Sequence, residues 1–173
     1  MKLRIDNVFP AFYNRQTGGG CESPVCEHNS MEVIEVDVHF ELADNVLTAE
    51  DFIRLKTAAG FMERPVEQVE KALGNGLLNV SALCDGKVVG MGRLVGDGAM
   101  YWYLQEIIVL PEYQGKGIGK SIVNRLLEHI EGCLLPGTGA EIGLTAVKGK
   151  EPFYERFGFE TIRTGMKKWI EKS

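Results

Sequence analysis

Residues 105–120, QEIIVLPEYQGKGIGK, carry the residue types and spacing best suited to gripping an anion. An apolar run rich in β-branched residues stops at Pro111, a glycine-dense turn follows, and an amphipathic helix begins at once. A strand feeding a glycine turn feeding a helix aims backbone N–H groups, and the positive end of a helix dipole, at negative charge. Two phosphate motifs fail on the spelling. A Walker A loop needs a glycine five residues before Gly119 in Gly119-Lys120-Ser121, and Gln114 stands there. The dinucleotide fingerprint needs a third glycine after Gly115 and Gly117, and Lys120 stands there instead. What remains is Gln114-x-x-Gly117-x-Gly119, preceded by Val109-x-Pro111. A lone GxG is adequately read as a turn. The strand, Pro111, Gln114 and the helix together ask for a ligand.

A second segment, Phe153-Tyr154-Glu155-Arg156-Phe157-Gly158-Phe159, reads by itself as a short glycine-ended helix with core aromatics. Side by side, the two segments resemble the pyrophosphate loop and the FYxxxGF segment of the GNAT superfamily of N-acetyltransferases. The likeness runs over most of residues 32–170, including Val89-Gly90 with Arg93, and Gly165-Met166-x-x-Trp169. It is nearest to small bacterial members acting on amines or peptides. The resemblance implies acetyl-CoA as cosubstrate, no metal, and direct transfer in a ternary complex to the primary amine of a small molecule or peptide.

Each step of such a transfer has a candidate residue. Backbone N–H groups of Gly115, Lys116, Gly117, Ile118 and Gly119 can hold a pyrophosphate without a metal. Gln114 belongs to the same loop, and Lys120 adds charge at the helix start, although Lys116 and Lys120 also fit solvated surface lysines. By resemblance, Ile107, Ile108 and Val109 splay from the neighbouring strand and pair with the pantetheine arm, the Val109 N–H polarising the thioester carbonyl. A lysine-like amine has a pKa of about 10.4 and must lose a proton before attack. Glu106 is the candidate base, since a carboxylate in a central strand is costly to bury without a purpose. A structural pairing with Arg93 explains it as well. Strand alternation places Gln105 on the opposite face from Glu106. Tyr154 matches the tyrosine these enzymes use as general acid, its alternative being a core aromatic. Relatives often carry an asparagine seven residues before that tyrosine; here it is Val147, leaving Lys148 or Lys150 to approach the coenzyme. Acceptor contacts are expected from Phe61, Met62, Tyr101, Tyr103, Glu106 and Met166.

The elements that must position these residues are legible from pattern. A strand is expected at about 32–41. Thr48 caps a helix over 49–59, and Pro65 opens another with Val66, Val69 and Leu73 on one face, ending at Gly74. Strands follow at 77–84 and 88–95 around Asp85-Gly86, a two-residue hairpin signal. The strand at 101–109 is apolar on both faces apart from Gln105 and Glu106, which makes it central. A helix at 117–131 lines up Ile118, Ile122, Val123, Leu126, Leu127 and Ile130. A strand at 140–146, a helix at 151–157 and strands near 159–163 and 165–170 complete an α/β (α+β) chain. The order is β-α-α-β-β-β-α-β-α-β-β, a mixed, mostly antiparallel sheet flanked by helices, as in the GNAT fold. Residues 31–173 form that domain, and residues 1–30, with Gly18-Gly19-Gly20, are an extension.

Bulk properties narrow the rest. At 173 residues the chain is one domain with a sizeable core, 45% hydrophobic and 25% charged. A net charge of −5 argues against nucleic acid and is compatible with a cationic amine. No stretch approaches the roughly 20 apolar residues of a membrane span, and the N-terminus lacks a secretory pattern, so the expected compartment is the cytoplasm. Cys21, Cys26 and His28 are three candidate zinc ligands with no fourth, and read as loop residues. Cys84 and Cys133 read as core or helix-end residues, and His39 and His129 lie far from the motifs. A homodimer is expected only by analogy with the family. Two other readings stay open: a non-catalytic acyl-CoA-binding module of the same fold, and transfer of a longer acyl chain.

Overall fold

The computed structural model describes residues 38–162 together with Gly165, Met166 and Lys168. The expected extension over 1–30, with Cys21, Cys26 and His28, lies outside the described residues. Five strands, β1 (Glu41–Asp44), β2 (Leu78–Cys84), β3 (Lys87–Gly96), β4 (Tyr101–Val109) and β5 (Glu141–Leu144), form one sheet in the order β1-β2-β3-β4-β5. Neighbours pair antiparallel except β4 and β5, which run parallel. Helices α1 (Ala49–Ala58) and α2 (Val66–Gly74) precede β2, α3 (Ile118–Cys133) joins β4 to β5, and α4 (Glu151–Glu155) follows. The mixed sheet flanked by helices expected from the sequence is the observed architecture. No helix among the described residues is long and apolar enough to cross a membrane.

Local chemistry accounts for the boundaries. The Asp51 N–H donates to Thr48 Oγ1 at 3.1 Å, satisfying one orphan amide of α1, and Glu50 and Asp51 face the positive end of its dipole. Asp85 and Gly86 both have positive φ, 49° and 73°, the signature of a type I′ hairpin turn. The α3 stripe closes on one face of the sheet. Ile118, Ile122, Val123, Leu126 and Ile130 are buried there with Leu78, Val80, Ala82, Leu94, Trp102 and Leu104. Each such aliphatic side chain contributes roughly 1.5–3 kcal/mol when fully buried. The other face carries a second core of Leu47, Phe52, Leu55, Val69, Val88, Met91 and Ile108 under α1 and α2.

Several expectations need correcting. Of the strand expected at 32–41, residues 38–40 are not strand and 32–37 lie outside the described residues; the first described strand occupies 41–44. Pro65 caps α2 from outside, and Val66 is exposed instead of facing the core with Val69. The chain over 159–162 is irregular, and most of the final hairpin falls outside the described residues.

Glycine sets how closely α3 can approach. A Cβ at Gly92 would sit 2.5 Å from Ile122 Cγ2 and 2.8 Å from Ile107 Cδ1. Gly92→Ala therefore costs about 1–3 kcal/mol by overpacking, read as a lower urea midpoint. Gly132, within α3 and with open space around its Cβ position, gives the opposite sign: Gly132→Ala gains up to about 1 kcal/mol. Equal effects at the two positions would contradict this packing.

Candidate functional site

The site begins where the sheet comes apart. β5 pairs with β4 only from Tyr101↔Glu141 to Leu104↔Leu144, while β4 continues to Val109. Beyond Leu104, β4 pairs with a strand only on its β3 side among the described residues. The Leu110 N–H donates to Val89 O at 2.9 Å. Because successive peptide groups of a strand point to opposite sides, the N–H and C=O of Val109 face the open edge. The carbonyl there accepts from Gln114 Nε2 at 2.9 Å; the N–H is turned the same way. Ile107 and Val109 pack toward α3, and Ile108 is buried in the opposite core.

A bulge lies at the base of this edge. Register jumps from Met91↔Ile108 to Arg93↔Gln105, so Gly92 alone faces both Glu106 and Ile107, and Glu106 has φ +49°. The extra residue overturns the alternation expected for this strand. Gln105 is paired with Arg93 and shares its face, and Glu106 bonds to Arg93 and to Lys56 of α1. Gln105 and Glu106 therefore lie on the same α1/α2 face.

The Glu106 carboxylate is held unevenly. Arg93 Nη1 donates to Oε2 at 3.0 Å, while Lys56 Nζ meets Oε1 at 3.4 Å. Arg93 is 6% exposed and also donates to Asn79 Oδ1 at 3.2 Å and to Ala72 O at 2.6 Å. The pairing with Arg93 raised from sequence is thus present. Lys56 and Asn79 were missed, since nothing in RLKTAAG marks Lys56 as a neighbour of Glu106, and nothing in LLNVSAL marks Asn79 as a partner of Arg93.

From Val109 the chain passes through a 3₁₀ turn (Pro111–Tyr113) into the glycine loop. Gly115 and Gly117 have φ of +78° and +82°, and open space lies beyond both Cβ positions. Gly117 caps α3 without a side-chain bond, and the first helical bond is Ser121 N–H to Gly117 O at 3.0 Å. The amides of Ile118, Gly119 and Lys120 precede it and have no intrahelical acceptor. Lys116 and Lys120 are exposed, with Lys116 Nζ 5.3 Å from the Tyr113 ring centroid.

The second motif closes on the same place. A Cβ at Gly119 would lie 3.4 Å from Phe153 Cζ and 3.8 Å from Val109 Cγ2, so loop, strand end and α4 meet. The half-buried Tyr154 follows Phe153 on α4, its ring edge-on to Phe153 and Phe159 with centroids 5.0 and 6.2 Å apart. Burial pushes its phenol above the ordinary value of 10.0. Burial and Asp85 push the Cys84 thiol up, Lys116 opposing them, which disfavours a thiolate there.

The expected acceptor residues scatter more widely. Phe61 is partly exposed and sits 5.3 Å from Lys56 Nζ, beside the Glu106 cluster. Tyr103 bonds through its hydroxyl to Thr145 Oγ1 at 2.5 Å. Met62, Tyr101 and Met166 are exposed. Val147, Lys148 and Lys150 are exposed ahead of α4. No group of three metal-ligating side chains occurs among the described residues.

Comparison with known proteins agrees with this geometry. The family profile described as the acetyltransferase (GNAT) domain matches residues 78–161. A GNAT-family acetyltransferase from Streptococcus pneumoniae TIGR4 is 31% identical over 78% of this chain and all of its own, with a TM-score of 0.65. A probable acetyltransferase of unknown function from meticillin-resistant Staphylococcus aureus is 28% identical at the same coverage, with a TM-score of 0.69. Among curated relatives, a chloroplastic GCN5-related N-acetyltransferase of Arabidopsis thaliana is 36% identical over 81 residues. That match takes in 47% of this chain and 30% of the relative; for an uncharacterized N-acetyltransferase of Pyropia yezoensis, 25% identical, both shares are 66%. The chain thus spans less than two thirds of these curated relatives.

The Glu106 cluster has unequal partners, and stability measurements resolve them. Arg93→Met strands Glu106 Oε2, Asn79 Oδ1 and Ala72 O without their donor, lowering stability by about 2–4 kcal/mol. Lys56→Met removes a longer contact and costs about 1 kcal/mol or less. Urea titrations giving the reverse order would refute the assignment of Arg93 as the anchor.

Proposed function

This chain belongs to the GNAT family of acetyltransferases, and on that premise we propose that it transfers the acetyl group of acetyl-CoA to a primary amine of a small molecule or peptide. One observation carries the reading. The unpaired edge of β4, the free amides at the start of α3 and the Tyr154 helix converge within van der Waals contact at Gly119.

The residues present suit acetyl-CoA. Amides of Gly115, Lys116, Gly117, Ile118, Gly119 and Lys120 suit a pyrophosphate, with open space at Gly115 and Gly117 and with Lys116 and Lys120 adding charge. Gln114 acts indirectly, tying the loop to Val109 O. The β4 edge at Ile107–Val109 has backbone groups ready to take an extended arm as an added strand. When bound, the coenzyme supplies an activated acetyl thioester. The Val109 N–H polarises its carbonyl, where loss of one such donor is worth about 3 kcal/mol. Glu106 accepts the proton of the attacking amine through Oε1, the oxygen more loosely held by Lys56. Tyr154 gives a proton to the departing sulfur; its raised pKa keeps it protonated through neutral and mildly alkaline pH. Transfer is direct, within a ternary complex.

A non-catalytic acyl-CoA-binding module is the second reading. It is favoured by the bridging of Glu106 between Arg93 and Lys56, a role complete without chemistry. Turnover separates the two.

Gly117→Asp, which sets a carboxylate in the anion loop, weakens acetyl-CoA binding at least 100-fold by calorimetry while circular dichroism is unchanged; undiminished affinity would refute the loop assignment. Release of free coenzyme A from acetyl-CoA, followed across an amine library, tests the two catalytic roles. Tyr154→Phe lowers kcat about 10²-fold with coenzyme affinity kept. Because burial raises the Tyr154 pKa, the wild-type alkaline limb from this group lies above pH 10, and the variant loses it. Glu106→Gln lowers kcat about 10²-fold, again with coenzyme affinity kept. Variants that retain wild-type rates would exclude these residues as acid and base.

A further inference from the structure

The cluster on the α1/α2 face is unbalanced. Arg93 and Lys56 set two positive charges against the single carboxylate of Glu106, in a chain whose net charge is −5. The two cations are not equally committed. Arg93 is fixed by Glu106, Asn79 and Ala72 together and lies 5.7 Å from the Phe52 ring. Lys56 meets the carboxylate once, at 3.4 Å, and otherwise rests 5.6 and 5.3 Å from the ring centroids of Phe52 and Phe61. Its side chain keeps 16% exposure, as does that of Glu106.

Oε1 is the more open oxygen for an ammonium group reaching Glu106, because Oε2 already accepts from the buried guanidinium and Oε1 has only the longer Lys56 contact. Lys56 is then displaced from its carboxylate and left beside the newcomer. A plain cationic amine would raise the surplus of the cluster from one positive charge to two. An amine bearing its own carboxylate leaves the surplus at one and gives Lys56 a new partner, with two aromatic rings confining the lysine stem.

Resting on the acetyl-transfer reading above, we propose that the acceptor is a small zwitterionic amine, its carboxylate within two or three bonds of the amine, and that Lys56 selects it. Lys56 binds the carboxylate while Glu106 receives the amine. Selection against carboxylate-free amines follows from the repulsion they meet there.

Matched pairs test this: L-phenylalanine against 2-phenylethylamine, L-lysine against cadaverine, and L-methionine against 3-(methylthio)propylamine. Each is assayed for kcat/KM with acetyl-CoA, and for affinity by calorimetry on protein saturated with coenzyme A. The amino acid member is expected to be favoured at least tenfold in both readouts. Lys56→Met brings the ratio to near one, and Lys56→Arg restores most of it. Preference for the plain amines, or a tenfold preference surviving in Lys56→Met, would overturn the proposal. So would coenzyme binding with neither member of any pair bound or turned over, since the named class would have been offered and refused. Failure to bind coenzyme A at all strikes the acetyl-transfer reading itself.

Discussion

One extra residue in β4 organises the site. With Gly92 opposite both Glu106 and Ile107, the strand changes phase between Gln105 and Ile107. Upstream, Trp102 and Leu104 face α3; downstream, Ile107 and Val109 do, and Glu106 is turned to the opposite side. The bulge also bends and twists the strand, and β4 leaves β5 two residues before it. A regular strand would have turned the carboxylate toward α3. The place of the carboxylate on the α1/α2 face is thus a consequence of this irregularity, and the open edge of β4 begins beside it.

Charge is distributed to suit two different partners. The proposed anion loop offers peptide N–H groups and a helix dipole, which need no desolvated cation, and Lys116 and Lys120 stay at the surface. The other side of the sheet buries a guanidinium, which is stable only because Glu106, Asn79 and a carbonyl satisfy it. That anchor fixes one carboxylate oxygen and leaves the second in a weaker contact. Rigidity at Arg93 and looseness at Lys56 give one group both a defined position and a displaceable partner.

Much of this was legible in the sequence, for physical reasons that can be named. Asp85-Gly86 and Thr48-x-x-Asp51 specify a turn and a cap through local chemistry, and both formed as expected. The apolar stripe from Ile118 to Ile130 fixed α3, and β4 runs over the expected 101–109. What failed was whatever depends on distant partners. Val66 fits the helical period but lies at the first position of α2 and is exposed. The phase of Gln105 and Glu106 was misread because a bulge opposite Gly92 leaves no composition signal in QEIIV. Lys56 was invisible because its pairing with Glu106 spans 50 residues.

The central claim is that the amides from Gly115 to Lys120 receive the pyrophosphate of acetyl-CoA. Titrating the ¹⁵N-labelled protein with acetyl-CoA and following backbone amide shifts tests it most directly. The largest changes are expected at these six residues, with Val109 following and the α1/α2 face little moved. Saturable binding that leaves the six amides unshifted, or no binding at millimolar coenzyme, would contradict it.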